Sequence, residues 1–152
     1  MKRSVSHATF TIERTYNASP ARVYKALSDP AAKALWFGGP DDWTQGKHTM
    51  DFRLGGVERE SGGPPGGPVH YYEARFQNIV PNERIIITYE MKLDETPISV
   101  SVATMEIVPS GKGAKLTYTE MGAFLDGHDV GGDLRRKGSE DLLDKLGTTL
   151  AE

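Results

Sequence analysis

Four histidines, His7, His48, His70 and His128, are the side chains best suited to proton transfer or metal ligation near neutral pH. No two of them share a helix-face spacing, so none forms a ligand pair of the kind zinc sites use. His128 with Asp129 and Asp133 has the composition of a metal cluster. It stands where a helix begins, however, and acidic residues there complement the positive end of the helix dipole. No metal is therefore expected. The chain has no cysteine, which excludes disulfides, thiolate catalysis and Cys-based zinc sites together. No serine sits in a Gly-x-Ser-x-Gly turn, and "GGPPGG" lacks the lysine and Ser/Thr of a phosphate loop. In "VHYYEARFQNIV", His70 and Tyr72 share one face and Glu73 and Arg75 the other. Either set could offer polar groups to a ligand or serve as solvent-facing cross-strand partners. No catalytic set assembles from spacing, and no cofactor is expected.

The chain has 152 residues, 38% hydrophobic and 26% charged, in keeping with one globular domain. Eighteen basic residues stand against twenty-one acidic, a formal charge of -3. The one dense basic cluster, Arg135-Arg136-Lys137, is surrounded by acids on the same segment. A nucleic-acid binder shows a basic face instead. The N-terminal residues "MKRSVSHATFTIERTY" have no apolar core of a signal peptide. No apolar run approaches the ~20 residues that a membrane helix needs. The cytoplasm is the default compartment, with no membrane insertion.

Alternation and turn punctuation place the elements that must position any site. "ATFTIERTY" alternates Phe10, Ile12 and Tyr16 with polar residues, the period of a strand. "NASPARVYKALSDP" supplies Ser19 as N-cap and Pro20 at the first helical position, and Pro30 ends that helix. A short second helix, "AAKALW", stops at Gly38-Gly39-Pro40. Six strands follow: "HTMDFRL", "VERE", "VHYYEARFQNIV", "RIIITYEMKL", "ISVSVATMEIV" and "AKLTYTEMGAF". "SGGPPGGP" reads as a mobile loop. The short connections predict antiparallel pairing. "LRRKGSEDLLDKLGTTLAE" is an amphipathic helix with Leu142, Leu146 and Leu150 on its apolar arc. Leu143 falls at the edge of that arc, with Leu134 and Gly138 nearby. One helix cannot cover a seven-stranded antiparallel sheet unless the sheet curls around it. The expectation is an α+β domain spanning residues 1–152.

Several of these stretches resemble one family in order. "IERTYNASPARVYKALSDPAAKALWFG" resembles the opening of the activator of heat-shock-chaperone ATPase homologue family. "MDFRLGGV" is similar to its Asp-x-Arg-x-Gly-Gly turn. "FQNIVPNERIIITYE" resembles its strand-turn-strand signature, with Pro81, Glu83, Arg84 and Thr88 in place. "TEMGAFLDG" and the late helix with Gly138 complete the likeness. The resemblance implies a START/Bet v-like (SRPBCC) helix-grip fold, with a deep cavity between the last helix and the concave sheet. Members of that superfamily bind lipids, sterols, flavonoids or polyketides there, and some catalyse cyclisation. Eukaryotic namesakes stimulate a chaperone through an additional domain, for which this chain has no room. Many relatives carry a tryptophan where Ser139 stands, which implies a different ligand preference.

The expected function is a small-molecule binder, with a stress-related role among the associations of the family. A cyclase-like enzyme or a chaperone-interacting regulator is the alternative. The expected partner is an apolar or aromatic molecule, and the expected state a monomer. Wall candidates are Trp36 and Phe37 at the end of the second helix, with Met50, Phe52, Tyr72, Phe76 and Tyr89 from the strands. Leu134, Gly138, Ser139 and Leu142 come from the last helix. Trp43, in the entrance loop "LWFGGPDDW", has the place of a lid.

Overall fold

The computed structural model describes residues 2–151. Strand β1 (Val5–Tyr16) leads into helices α1 (Pro20–Ser28) and α2 (Pro30–Ala34). Two short strands, β2 (Thr44–Gln45) and β3 (Thr49–Met50), precede β4 (Val57–Gly63). Four long strands follow: β5 (His70–Val80), β6 (Arg84–Leu93), β7 (Thr96–Ser110) and β8 (Gly113–Leu125). Helix α3 (Asp133–Leu150) closes the chain. Glu152, which the sequence assigns to that helix, lies outside the described residues.

Both early helices are capped as their sequences dictate. The Ser19 hydroxyl accepts from the Arg22 amide and Pro20 opens α1, while the Asp29 carboxylate accepts from the Ala32 amide to open α2. Val23, Ala26 and Leu27 form the buried face of α1.

All strands join one antiparallel sheet in the order β1-β8-β7-β6-β5-β4-β2, with β3 also on β4. Its eight strands exceed the seven expected, and the "HTMDFRL" segment breaks up. Only Thr49–Met50 pairs there, and Asp51–Gly56 turns back onto β5, where Gly55 and Gly56 exchange backbone bonds with Phe76. The separate pair Thr44–Gln45 supplies the extra strand. Conversely "VERE" extends through Gly63, so part of the Gly-Pro segment is ordered strand.

Register shifts at Phe76/Asn78 in β5 and at Met91/Lys92 in β6 bend the sheet, as bulges do. The curved concave face carries Phe10 and Ile12 of β1, Ile85 and Ile87 of β6, and Leu116 of β8. Helix α3 lies against this face, packing on β1 and α1. Its buried residues are Ser139, Leu143, Leu146 and Leu150. Leu143 is thus central and Leu142 the edge residue, the reverse of the sequence assignment. The reason is an anchoring of the C-terminal half that rotates the arc. The Tyr16 hydroxyl donates to the Leu143 carbonyl at 2.7 Å, and Arg22 donates to the Leu150 carbonyl at 2.9 Å. No described helix is long and apolar enough to cross a membrane.

Candidate functional site

Beyond its anchored half, α3 stands away from the sheet, and the gap is a cavity of about 480 Å³. Its walls come from β4–β8, α2 with the following loop, and one flank of α3. Trp36, Phe37, Trp43, Tyr72 and Tyr89 line it from the sheet and loop. Leu134, Gly138, Ser139 and Leu142 line it from α3. Leu134 is exposed and marks the rim, while Ser139 is buried. Met50, Phe52 and Phe76 are not among the lining residues. Phe52 and Phe76 are consumed by packing: Phe52 meets Tyr24 and Phe76 edge-on, with centroids 6.0 and 4.9 Å away. Met50 ends the short edge strand, on the side of a shallow outer depression.

The loop after α2 shows why both tryptophans flank Gly38-Gly39-Pro40. Trp36 is 4% exposed and donates its indole N–H to the Ala26 carbonyl at 2.9 Å, so it is core and wall at once. Gly38 holds φ at +137°, where side chains are strained. Trp43 then folds back over Gly39, so closely that a Cβ there would enter its ring. Trp43 is half-buried, its ring 4.6 Å from that of His70. A file of rings crosses the wall from Trp36 to Phe37, Tyr72 and Tyr89, with centroid steps of 5.8, 5.0 and 5.2 Å.

Sequence reasoning singled out His70 and Tyr72 but missed the buried charges around this cavity. Glu120 is fully buried, and three hydroxyls donate to it: Tyr89 and Tyr118 at 2.7 Å and Ser101 at 2.8 Å. The Arg135 guanidinium, in the first turns of α3, donates to Glu120 at 3.1 Å, Tyr89 at 2.9 Å and Ser99 at 2.6 Å. Burial disfavours that cation, but Tyr89 and Glu120 outweigh it and raise the guanidinium pKa above its ordinary value. Burial, together with the neighbouring Glu120, pushes the Tyr118 phenol well above the usual tyrosine range.

Glu58 forms a second centre, also fully buried. Lys33 of α2 donates to it at 2.7 Å, Tyr72 donates at 3.3 Å, and His48 lies at 2.8 Å. Burial would raise the Glu58 carboxyl, but the Lys33 ammonium and the Lys33 and His48 hydrogen bonds reverse that and hold it low. The phase of alternation carried the signal for both centres. Glu120 repeats on Leu116, Tyr118 and Phe124, and a charge on an apolar face needs partners.

Two residues beyond Glu58, on the same face, Glu60 also lines the cavity. It is paired in register with Tyr72. Its carboxyl has no hydrogen-bond or ion-pair partner among the described residues, and burial raises its pKa to about 7. Of the two alternative sets on β5, His70 and Tyr72 line the cavity, whereas Glu73 faces outward and accepts from Arg59 at 2.7 Å. Asp129 caps α3, accepting from the Leu134 and Arg135 amides at 3.0 and 2.9 Å. No cluster of metal-ligating residues exists among the described residues.

The two glycines of α3 differ. A Cβ on Gly147 would come within 3.0 Å of the Tyr16 ring, so that glycine permits close packing. A Cβ on Gly138 would meet nothing within 4 Å. Gly138 is itself exposed, so the open space beside it lies at the cavity's solvent-facing rim.

Similar structures share this architecture. A protein from Rhizobium leguminosarum is 43% identical over 99% of each chain, with a TM-score of 0.93. The Mll3558 protein from Rhizobium loti is 44% identical, covering 97% of this chain and 99% of that one, with a TM-score of 0.89. Protein CV1439 from Chromobacterium violaceum is 25% identical over 95% of this chain and 98% of that one, with a TM-score of 0.75. Among curated proteins no sequence matches. The family model described as "Activator of Hsp90 ATPase homolog 1-like protein" matches residues 17–151. With the curved sheet, the two early helices and the gripped C-terminal helix in place, the chain belongs to that family.

Proposed function

We propose that the protein is a small-molecule binder that holds an apolar or aromatic ligand between α3 and the concave sheet. The observation that carries this reading is a cavity of about 480 Å³ walled by aromatic rings and aliphatic chains. That size and lining suit a drug-sized apolar guest with a few polar contacts. The wall cations Arg135 and Lys33 are engaged by Glu120 and Glu58 behind them, which leaves the rings as the main contact surface. Trp43, folded over Gly39 on the loop, covers the entrance in this reading.

Gly138 tests it. Gly138→Leu places a side chain in the open volume, so binding of flavonoid-like or lipid probes should be abolished with the melting temperature held. Gly138→Ala should leave binding intact and gain up to ~1 kcal/mol from helix propensity. Amide chemical-shift titrations and thermal melts read both variants. Gly138→Leu melting far lower, as an overpacked core would at about 1–3 kcal/mol, or binding as wild type does, sinks the proposal.

A cyclase-like enzyme is a second reading, favoured by one observation. Glu60 is a cavity carboxyl with a pKa of about 7, poised for proton transfer at neutral pH. Mass spectrometry of incubated polyketide-like aromatics decides between them. The binder returns its ligand unchanged, and a reproducible product that Glu60→Gln fails to form establishes the enzyme.

A further inference from the structure

We infer that the cavity selects a ligand with an apolar body and one basic nitrogen, whose ammonium group is received by Glu60 against the Trp43, Phe37 and Tyr72 rings. The inference rests on the cavity-binding reading and adds the class of ligand.

Most charges on the cavity wall are already paired. Lys33 is engaged by Glu58 at 2.7 Å, and Arg135 by Glu120 at 3.1 Å. Lys145 is engaged by Asp41 at 2.8 Å, and Asp141 by Lys137 at 2.7 Å. Burial lowers the pKa of His70, which makes its ring neutral at neutral pH. Glu60 is the lining acid left without a partner among the described residues, and it carries its full charge only above about pH 7.

An anionic guest such as a fatty acid would therefore meet a like charge at Glu60, and each wall cation is already committed. A cationic guest would complete the pairing that the other charged wall residues already have. Charge-assisted hydrogen bonds to a carboxylate are among the strong ones, more so in a site shielded from water. Aromatic faces beside the carboxylate add cation–π attraction. The Glu60 carboxyl also sits close over the loop, its Oε1 3.6 Å from where a Cβ of Gly38 would lie. That places the carboxyl beside the loop that carries Trp43.

The groups that face Glu60 come from each neighbouring element. Glu58 on its own strand raises its pKa, His48 before β3 lowers it, and His70 and Tyr72 stand on β5. Lys33 of α2, Asp41 of the loop and Lys145 of α3 also reach the cavity wall. Burial remains the largest influence on Glu60, ahead of His48 and Glu58. Protonation of Glu60 below about pH 7 removes the charge that receives the ammonium.

A matched trio tests the idea: naphthylethylamine, naphthylethanol and naphthylacetate, titrated by calorimetry into wild type and Glu60→Gln. Wild type should bind the amine about tenfold tighter than the alcohol, with the acid weakest. Glu60→Gln should bring the amine level with the alcohol and leave the alcohol unchanged. Acidification from pH 8 to 6 should weaken the amine alone. Because Glu60 bonds to no other side chain, its variant should keep the wild-type circular dichroism spectrum. Equal binding of amine and alcohol, or an amine preference that survives Glu60→Gln, overturns the inference and leaves cavity binding standing. If no member of the trio perturbs the cavity residues, both fall together.

Discussion

Glu58 and Glu120 are both buried carboxylates on the concave face, yet each is neutralised in its own way. Glu120 is met by Arg135 from an eighteen-residue helix and by three hydroxyls from the sheet. Glu58 is met by Lys33 from a five-residue helix, with His48 and Tyr72 beside it. In each case the sheet carries the acid and a helix delivers the cation. A buried ion pair adds little net stability over an apolar pair, but breaking one strands a charge. The pairs therefore act as addresses: one fixes the first turns of α3 over β6–β8, the other fixes α2 beside β4. The cavity is the space between the two fixed points.

The comparison predicts unequal costs. Arg135→Met removes the cation on Glu120 and the donor to Tyr89 and Ser99, leaving neutral hydroxyls on the carboxylate, and should destabilise by about 3–5 kcal/mol in urea unfolding. Lys33→Met leaves His48 and Tyr72 bonded to Glu58 and should cost about 2–3 kcal/mol. A larger loss at Lys33 would show that α2, not the start of α3, is the more tightly fixed point.

A second contrast lies within one strand, between Glu58 and Glu60. The Glu58 carboxyl is held below its ordinary 4.5, so its pairing contributes stability above that value and loses it as pH falls further. Glu60 has the opposite sign. Its folded value, about 7, lies above 4.5, so between those limits the folded chain holds the proton more tightly. Its contribution therefore falls as pH rises from 4.5 through 7. Glu60→Gln should raise stability at pH 8 by roughly 1 kcal/mol, after allowance for solvent screening. That is about 2–4 °C in melting temperature for a chain of this size. The gain should vanish at pH 4.5. An equal effect at both pH values would mean that the carboxyl is not desolvated.

Much of the frame was legible because local rules and global fold agree. Strand β6 begins and ends where "RIIITYEMKL" does, and α1 starts at the predicted cap. Alternation failed at "HTMDFRL", where Gly55-Gly56 and the backbone bonds to Phe76 favour a turn onto β5 over a longer strand. The ring wall was legible in part, since a large aromatic on an inward phase is core or wall and sequence does not separate them. Phe76, at 1% exposure, became core, while Tyr72 and Tyr89 became wall. The polar centres were overlooked for a different reason. The phase of Glu58, Glu60 and Glu120 points them inward with apolar neighbours, but spacing alone does not name the cations that meet them. Arg135 and Lys33 were illegible, because their roles depend on where two helices land on the sheet.

The smallest expected effect on stability belongs to the rim. Lys145 of α3 donates to Asp41 of the loop at 2.8 Å, and both residues line the cavity. The pair joins the helix to the segment that carries Trp43. Asp41 is 91% exposed, so solvent and salt screen the attraction, and its loss should leave the melting point unchanged within error. Its kinetic effect should differ from its thermodynamic one. On the cavity-binding proposal a guest would leave by separation of the loop from α3, which would break the Asp41–Lys145 contact. Lys145→Ala should therefore speed ligand release and association together, with affinity nearly constant. Raising the salt concentration on wild type should reproduce part of that change. Stopped-flow measurement of tryptophan fluorescence reads it, since both Trp36 and Trp43 line the cavity. Unaltered rates in Lys145→Ala would mean that guests enter elsewhere and that Asp41–Lys145 is only a surface ion pair.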